Sequence, residues 1–342
     1  MNPDKGLQIV LAARPQGKVT PDDFRLEYFS PPAPGAGEFL IKVDYLSLDP
    51  YMRGRMDDRK SYAEPAKIGE AMPGESIGRV LASNRAGFSQ GDVVLARTGW
   101  RTHVLSSGEG VRRIDRGALP VTTRLGVLGM PGFTAYAGMK AIGKPQKGET
   151  VVVAAASGPV GSLVGQLAKI DGARAVGIAG GPAKCAYLEK ELHFDAAVDH
   201  RAPDFRAALA AACPAGIDVY FENVGGAVWQ AVLPLLNRFA RVPVCGLIAQ
   251  YDGGEAEPPG QLAATMRQIL NQRILVRGFI NYDFANEYYA DFLGDVERWI
   301  SEGRIKYREE IVDGLENAPQ AFIGMLSGQN FGKLLIRVGG KE

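Results

Sequence analysis

Ala156, Gly158 and Gly161 stand in the spacing Ala-x-Gly-x-x-Gly, just after the β-branched run Val151-Val152-Val153 and at the head of an apolar-periodic segment through Val160, Leu163, Val164, Leu167 and Ala168. The pattern predicts strand, tight turn, helix, with Pro159 opening the helix. Small residues at these places let backbone N–H groups approach a pyrophosphate at the helix N-terminus, so Gly158, Pro159, Val160 and Gly161 are candidate cofactor-binding residues. Gly165 is expected to let the helix pack close to the sheet. A glycine triplet alone also fits an ordinary turn; the strand before it and the helix after it favour the dinucleotide reading.

The end of the second strand discriminates between nicotinamide cofactors, because NAD needs an acid about 20 residues after the glycines to bond the ribose 2′-OH. Here the chain reads Ala179-Gly180-Gly181, with Lys184 one helical turn on. The glycines leave room for a 2′-phosphate and an ammonium can pair with it, so NADP(H) is the expected cofactor, with Gly180 and Lys184 in its site. The alternative for Lys184 is a solvated helix lysine. His200 and Arg201, after the third strand, either flank the same phosphate and the adenine or are plain surface residues.

The elements that must position these groups fall into two kinds. From Leu7 to about Val127 short strands are broken by glycine and proline (7–11, 24–29, 39–43, 77–82, 92–96 and 111–114), which suggests a small all-β barrel. From Gly129 onward helix-compatible stretches (184–192, 227–236, 262–272) separate strands at 175–179, 196–199, 218–222, 241–246 and 274–279, giving with the Val151 strand a doubly wound parallel sheet of six. Phe284, Tyr288, Phe292, Val296 and Trp299 mark an amphipathic helix expected to cover that sheet. Beyond Gly303 the pattern is mixed and ends in a strand at 333–338. The domain expectation is therefore residues 1–128 with 301–342 for the first domain and 129–300 for an inserted dinucleotide-binding domain.

A chain of 342 residues can bury a sizeable core, and its 39 Lys plus Arg against 38 Asp plus Glu leave no net field toward nucleic acid or an anionic membrane. Small molecules and other subunits are the expected partners. The start, MNPDKGLQ, has neither the basic flank nor the apolar core of a signal peptide, and no uncharged run reaches the ~18 residues of a membrane span; a cytoplasmic location is expected. Cys185, Cys213 and Cys245 are far apart and odd in number, so no disulfide framework or C-x-x-C metal pair is expected, and all three are read as buried, reduced and inert.

Several segments, in order, resemble the zinc-independent medium-chain dehydrogenase/reductase superfamily, and within it the branch of NADPH-dependent alkenal/one reductases. They are LDPYMRGRM (48–56), PGESIG (73–78), GMPGFTAY (129–136), AASGPVGSLVGQLAK (155–169), AVGIAGGPAKC (175–185), FENVGG (221–226), CGLIAQY (245–251) and NFGKLLI (330–336). The resemblance spans essentially the whole chain. It implies a GroES-like β-barrel catalytic domain with an inserted Rossmann domain, a cleft between them, and a homodimer. It also implies Gly158, Pro159 and Val160 at the pyrophosphate, Lys184 at the 2′-phosphate, Asn223 beside the cofactor, Asn330 on its phosphate-nicotinamide side, and Cys245 to Tyr251 lining the nicotinamide pocket. The chain departs from the family pattern at His200-Arg201, where many relatives have tyrosine and lysine. Zinc-dependent relatives carry a cysteine near the Ser47–Asp49 turn and a histidine before Glu75; this chain has Leu48 and Pro73-Gly74 there, so no metal is expected.

Without a metal electrophile, the expected reaction is hydride delivery to the β-carbon of an enone or enal, giving an enolate whose charge must be met by preorganised donors. Tyr251 and Tyr51 are the candidate catalytic residues, with packing tyrosines as the alternative; Tyr62 and Tyr282 are expected only to shape the entrance. A quinone reductase and a non-catalytic NADPH-binding protein are the rival functions. The physiological substrate is not legible, because loops 57–67 and 252–261 would shape its pocket.

Overall fold

A computed structural model describes residues 5–115, 117–253 and 260–338. By its internal packing the chain divides into two compact units, Met1–Leu125 with Glu309–Asn330 and Leu334–Glu342, and Gly126–Arg308 with Phe331–Lys333.

The first unit opens with strands β1 (Gly6–Leu11) and β2 (Phe24–Phe29), an antiparallel pair, and continues with β3 (Phe39–Ser47), β4 (Ser76–Ser83), β5 (Val93–Ala96), β6 (His103–Ser106) and β7 (Arg112–Arg113). Between β3 and β4 lies a five-residue helix, α1 (Tyr51–Arg55). Its Met52 and the following Met56 are fully buried with Leu46, Leu48, Met72 and Trp100. Trp100 stacks on Phe24 at 5.5 Å between ring centroids and meets the edge of Phe322 at 5.6 Å, so aromatic burial ties the tail of the chain into this core.

The second unit holds α2 (Met130–Gly138), β8 (Thr150–Ala154), α3 (Pro159–Ile170), β9 (Arg174–Ala179), α4 (Pro182–Lys190), β10 (Ala196–Asp199), α5 (Phe205–Ala212), β11 (Ile217–Phe221), α6 (Gly226–Val232), β12 (Leu236–Val244), α7 (Gln261–Gln272), β13 (Leu275–Gly278) and α8 (Ala285–Ser301). The six strands form one parallel sheet in the order β10-β9-β8-β11-β12-β13, the doubly wound arrangement read from the sequence. Strand order reverses between β8 and β11, and in such sheets the crevice at that switch point, outside the carboxyl ends of the strands, is where ligands bind. The loops after β8 and β11 meet there: the Asn223 amide Nδ2 donates to the carbonyl of Ala154 at 2.8 Å.

Two packing expectations need correction. A Cβ on Gly165 would collide with the ring of Phe194, so this glycine admits the aromatic after α4 rather than bringing α3 onto the sheet. The apolar face of α8 packs on α2, with Phe292 5.4 Å from Phe133 and 5.7 Å from Tyr136, and the Tyr136 hydroxyl donates to Asp295 at 2.8 Å. The tail returns as β14 (Glu309–Asp313), α9 (Ala318–Leu326) and β15 (Lys333–Arg337). β15 pairs antiparallel with β3, which completes the first unit's sheet, β14-β15-β3-β4-β5-β7 with β6 also on β3.

Candidate functional site

The glycine turn is built as an open anion cradle. Ala155, exposed at the end of β8, has a left-handed backbone (φ 51°), an uncommon cost for a residue with a Cβ. Its carbonyl accepts the Gly158 N–H at 3.0 Å, which closes the turn. A Cβ on Gly161 would lie 2.5 Å from the Ala155 carbonyl oxygen and 2.7 Å from the Ala156 Cα, so only glycine lets the first turn of α3 lie this close to the strand end. At Gly158 a Cβ would meet only the Ala155 carbonyl oxygen, at 3.3 Å, and no side chain caps α3. The first-turn N–H groups have no intrahelical acceptors, so this helix end suits a phosphate.

One strand away, the cations gather. Gly181 has φ 93°, a conformation L side chains rarely adopt, and precedes α4. Its N–H and that of Arg201 both donate to Asp199 Oδ1 at 2.9 Å, and these two bonds hold the Asp199 carboxyl below its ordinary value. That shared acceptor folds the residues after β10 back over Gly180: a Cβ there would sit 2.9 Å from Arg201 Nε and 3.1 Å from His200 Nε2. Lys184 is close enough for its charge to act on His200, whose imidazole is depressed first by desolvation of the ring and then by Arg201 and Lys184, against an opposing pull from Asp199. The His200 and Arg201 side chains thus lie directly against Gly180, with Lys184 within electrostatic reach of His200, and this cluster of three basic side chains suits a phosphomonoester. Asp199, which accepts the N–H groups that hold this cluster, escaped the sequence reading; an acid closing a strand just before two basic residues was the signal for it.

At the carboxyl edge of β11 and β12 a second cluster forms. β12 ends at Val244, so Cys245 and Gly246 lie beyond the strand that was expected to contain them. Their N–H groups donate to the backbone carbonyl of Glu222 at 2.9 and 3.2 Å. A Cβ on Gly246 would be 3.2 Å from the Tyr251 hydroxyl and 3.6 Å from the Asn223 carbonyl oxygen, so Tyr251 turns its phenol back onto this edge. Asn223, Cys245 and Tyr251 are therefore neighbours, all half-buried. Burial, then the nearby Glu222, pushes the Cys245 thiol up to about 12, and burial pushes Cys185 and Cys213 up to about 11. Cys213 is buried as expected, whereas Cys185 and Cys245 are only half-buried.

Tyr51 opens α1 in the first unit, and the Arg55 guanidinium lies 5.9 Å from its ring centroid and 4.4 Å from that of Tyr62. Arg55 is a further residue the sequence reading passed over. Tyr62 and Tyr282 are exposed. Asn330 precedes Phe331, whose ring is T-stacked on Tyr187 at 5.0 Å and lies 4.0 Å from the Arg308 guanidinium. Of loop 252–261, residues 254–259 lie outside the described residues. The place where zinc ligands stand in metal-dependent relatives is a packed apolar core: a Cβ on Gly74 would be 2.7 Å from Leu46 and 3.2 Å from Trp100, Leu48 is buried, and the Ser47 hydroxyl donates to the buried Asp49. This donor set does not fit tetrahedral zinc.

A parallel sheet with a glycine turn at its switch point and a basic cluster beside the next strand is the architecture of a dinucleotide-binding domain. A family model described as the N-terminal domain of oxidoreductase matches residues 7–114, and one described as zinc-binding dehydrogenase matches residues 159–297. The NADPH-dependent curcumin reductase of Escherichia coli (strain K12) is 50% identical over 334 residues, 97% of each chain. The 2-alkenal reductase (NADP(+)-dependent) of Nicotiana tabacum is 39% identical over 307 residues, 89% of this chain and 88% of its own. Among solved structures, CurA from Vibrio vulnificus in complex with NADPH superposes with a TM-score of 0.94 at 50% identity, covering 98% of this chain and 100% of that one. The chain belongs to the medium-chain dehydrogenase/reductase family, in its zinc-independent branch of curcumin, prostaglandin and alkenal reductases.

Proposed function

We propose that the protein is an NADPH-dependent reductase of the carbon–carbon double bond of α,β-unsaturated ketones and aldehydes. The observation that carries the reading is the basic cluster at Gly180, formed by Lys184, His200 and Arg201, in a chain half identical to an NADPH-dependent curcumin reductase. Gly158, Pro159, Val160 and Gly161 would hold the pyrophosphate, the basic trio the 2′-phosphate, and Asn223, Cys245, Tyr251 and Asn330 the nicotinamide side. When bound, the cofactor supplies the hydride. The chain's own task is then to receive negative charge on the substrate oxygen as the enolate forms, and to let a proton reach the α-carbon. Tyr251 is the first donor we assign to that oxygen and Tyr51 the second.

In this reading residues 1–128 with 301–342 act as the catalytic domain and 129–300 as the Rossmann domain. The protein works as a homodimer: β13 is an edge strand with Leu275 and Val276 exposed, and α7 presents exposed Leu262, Met266 and Leu270 at four-residue spacing. Apolar edges of this kind are covered in stable proteins. No helix among the described residues is long and apolar enough to cross a membrane, and a cytoplasmic site of action is part of the proposal. A panel of enals, enones and quinones, read by NADPH consumption, tests the activity: turnover of enones and enals well above quinones is expected, and quinone-selective turnover would overturn it. Sedimentation equilibrium tests the dimer, and a monomer at micromolar concentration would refute it.

A further inference from the structure

Glu222 sits just past β11, is 2% exposed, and takes no part in the chemistry assigned above. Its side chain is bonded unevenly. Oε1 accepts the Val224 N–H at 2.7 Å, the Gly225 N–H at 2.9 Å and the Tyr220 hydroxyl at 2.9 Å, whereas Oε2 is buried with no hydrogen-bond partner among the described residues. Its main chain is committed too. The Glu222 carbonyl accepts from Cys245 and Gly246, and its N–H donates to the Pro243 carbonyl at 3.0 Å.

The two loops that meet at this residue need such a clamp. Gly225 (φ 76°) and Gly226 (φ 54°) are consecutive left-handed residues, so the chain after Asn223 turns in a conformation that only glycines enter cheaply. The Ile248 N–H donates to the Asn223 carbonyl and the Ala249 N–H to that of Val224, which carries the register from the first loop to the one ending in Tyr251. A shift at Glu222 would therefore move Asn223, Cys245 and Tyr251 together.

We propose that Glu222 is a positioning residue that fixes loops 223–226 and 245–251 through its Oε1 and its backbone carbonyl, and that its Oε2 carries a proton. The proposal rests on the reading of those loops as the nicotinamide side of the cofactor site. A bare ionised oxygen buried without donors is costly, whereas a neutral acid keeps the accepting oxygen and avoids an unpaired buried charge. The titratable groups facing the carboxyl are the Tyr220 hydroxyl, fully buried and raised by burial and by Glu222, and the Cys245 thiol. Burial raises Glu222 itself, against the lowering effect of the Val224 and Gly225 N–H groups, the Tyr220 hydroxyl and the nearby Asn223 N–H.

The test compares Glu222→Gln, which keeps an acceptor oxygen without charge, with Glu222→Ala, which leaves three donors unmet, and with Val232→Ala, a core truncation in α6, as a stability control. NADPH dissociation constants are measured by calorimetry, Tm by melting, and wild type minus Glu222→Gln by infrared difference spectroscopy. Glu222→Gln should keep the dissociation constant within about threefold of wild type, and Glu222→Ala should weaken it by about tenfold or more. Val232→Ala should lower Tm with unchanged NADPH affinity, and the infrared difference at neutral pH should show a protonated carboxyl band. Glutamine as damaging as alanine, a carboxylate doublet in the infrared, or a Glu222→Ala protein that loses Tm but binds NADPH normally would each overturn the proposal. Should Glu222→Ala fail to fold, Glu222→Gln and the infrared spectrum decide alone. Wild-type protein that binds no NADPH would refute the underlying reading instead, which keeps the two failures distinguishable.

Discussion

Lys184→Ala separates the proposed 2′-phosphate site from the rest of the proposed cofactor contacts. A charge-assisted hydrogen bond from an ammonium to a phosphate contributes about 1.5–3 kcal/mol where both partners are shielded from water. Lys184 is half-buried, and His200 and Arg201 belong to the same basic cluster, so solvent screening and redundancy pull the expected loss toward the lower end. About 1.4 kcal/mol corresponds to tenfold in affinity. The variant should therefore bind NADPH about tenfold more weakly while NADH binding, which lacks the phosphate, changes by less than about twofold. Removing Arg201 as well should cost more than the sum of the single changes, because each cation partly covers for the other. Calorimetric titration of both cofactors, together with kcat/KM for each, gives the comparison. Equal weakening of NADPH and NADH, or equal kcat/KM for the two cofactors in the unmodified protein, would refute the assignment of this cluster to the 2′-phosphate.

Tyr251→Phe should lower kcat by roughly tenfold with little change in NADPH affinity, because a true oxyanion donor contributes on the order of 10²-fold and water or ribose hydroxyls can stand in for part of that; an unchanged kcat would reject the role. Asn330→Ala should weaken NADPH binding with an unaltered melting temperature, and an unchanged dissociation constant would remove Asn330 from the site. His200 is held below its ordinary value, and a phosphate dianion favours the imidazolium, so its proton affinity rises on binding and proton uptake accompanies NADPH binding. Affinity should then strengthen as pH falls from about 8 toward 6, near the ordinary histidine value, before protonation of the phosphate opposes it; His200→Gln should flatten this slope, and an equal slope in the variant would sink the idea.

The parallel sheet was legible because its strands are buried on both faces and so read as continuous apolar runs, with Val151, Val152 and Val153 fully inaccessible. The first unit was harder. α1 is five residues long and contains Gly54, too short for any periodicity to show. α9, APQAFIGML, is apolar almost all round and so shows no amphipathic stripe, and β14, EEIVD, is an acidic strand at the sheet edge. β12 begins five residues earlier than Arg241, because its pairing with β11 is interrupted between Ile217 and Val219 and Phe239 adopts φ 65°, which breaks the two-residue alternation. Within the candidate site, sequence reasoning picks out the groups proposed to face a ligand: glycines for close approach, Lys184 for charge. It misses Asp199 and Glu222, whose carboxyl oxygens accept backbone N–H groups two and three residues on and, for Asp199, that of Gly181 as well, since a bond to main chain calls for no particular side chain as its partner.

The central claim is that the carbon–carbon double bond, and not the carbonyl, accepts the hydride. An α,β-unsaturated ketone and the matching enal are turned over with NADPH deuterated at the transferring position, and the products are analysed by NMR and mass spectrometry. The account predicts saturated ketone and saturated aldehyde with deuterium on the β-carbon. An allylic alcohol with deuterium on the former carbonyl carbon would contradict it.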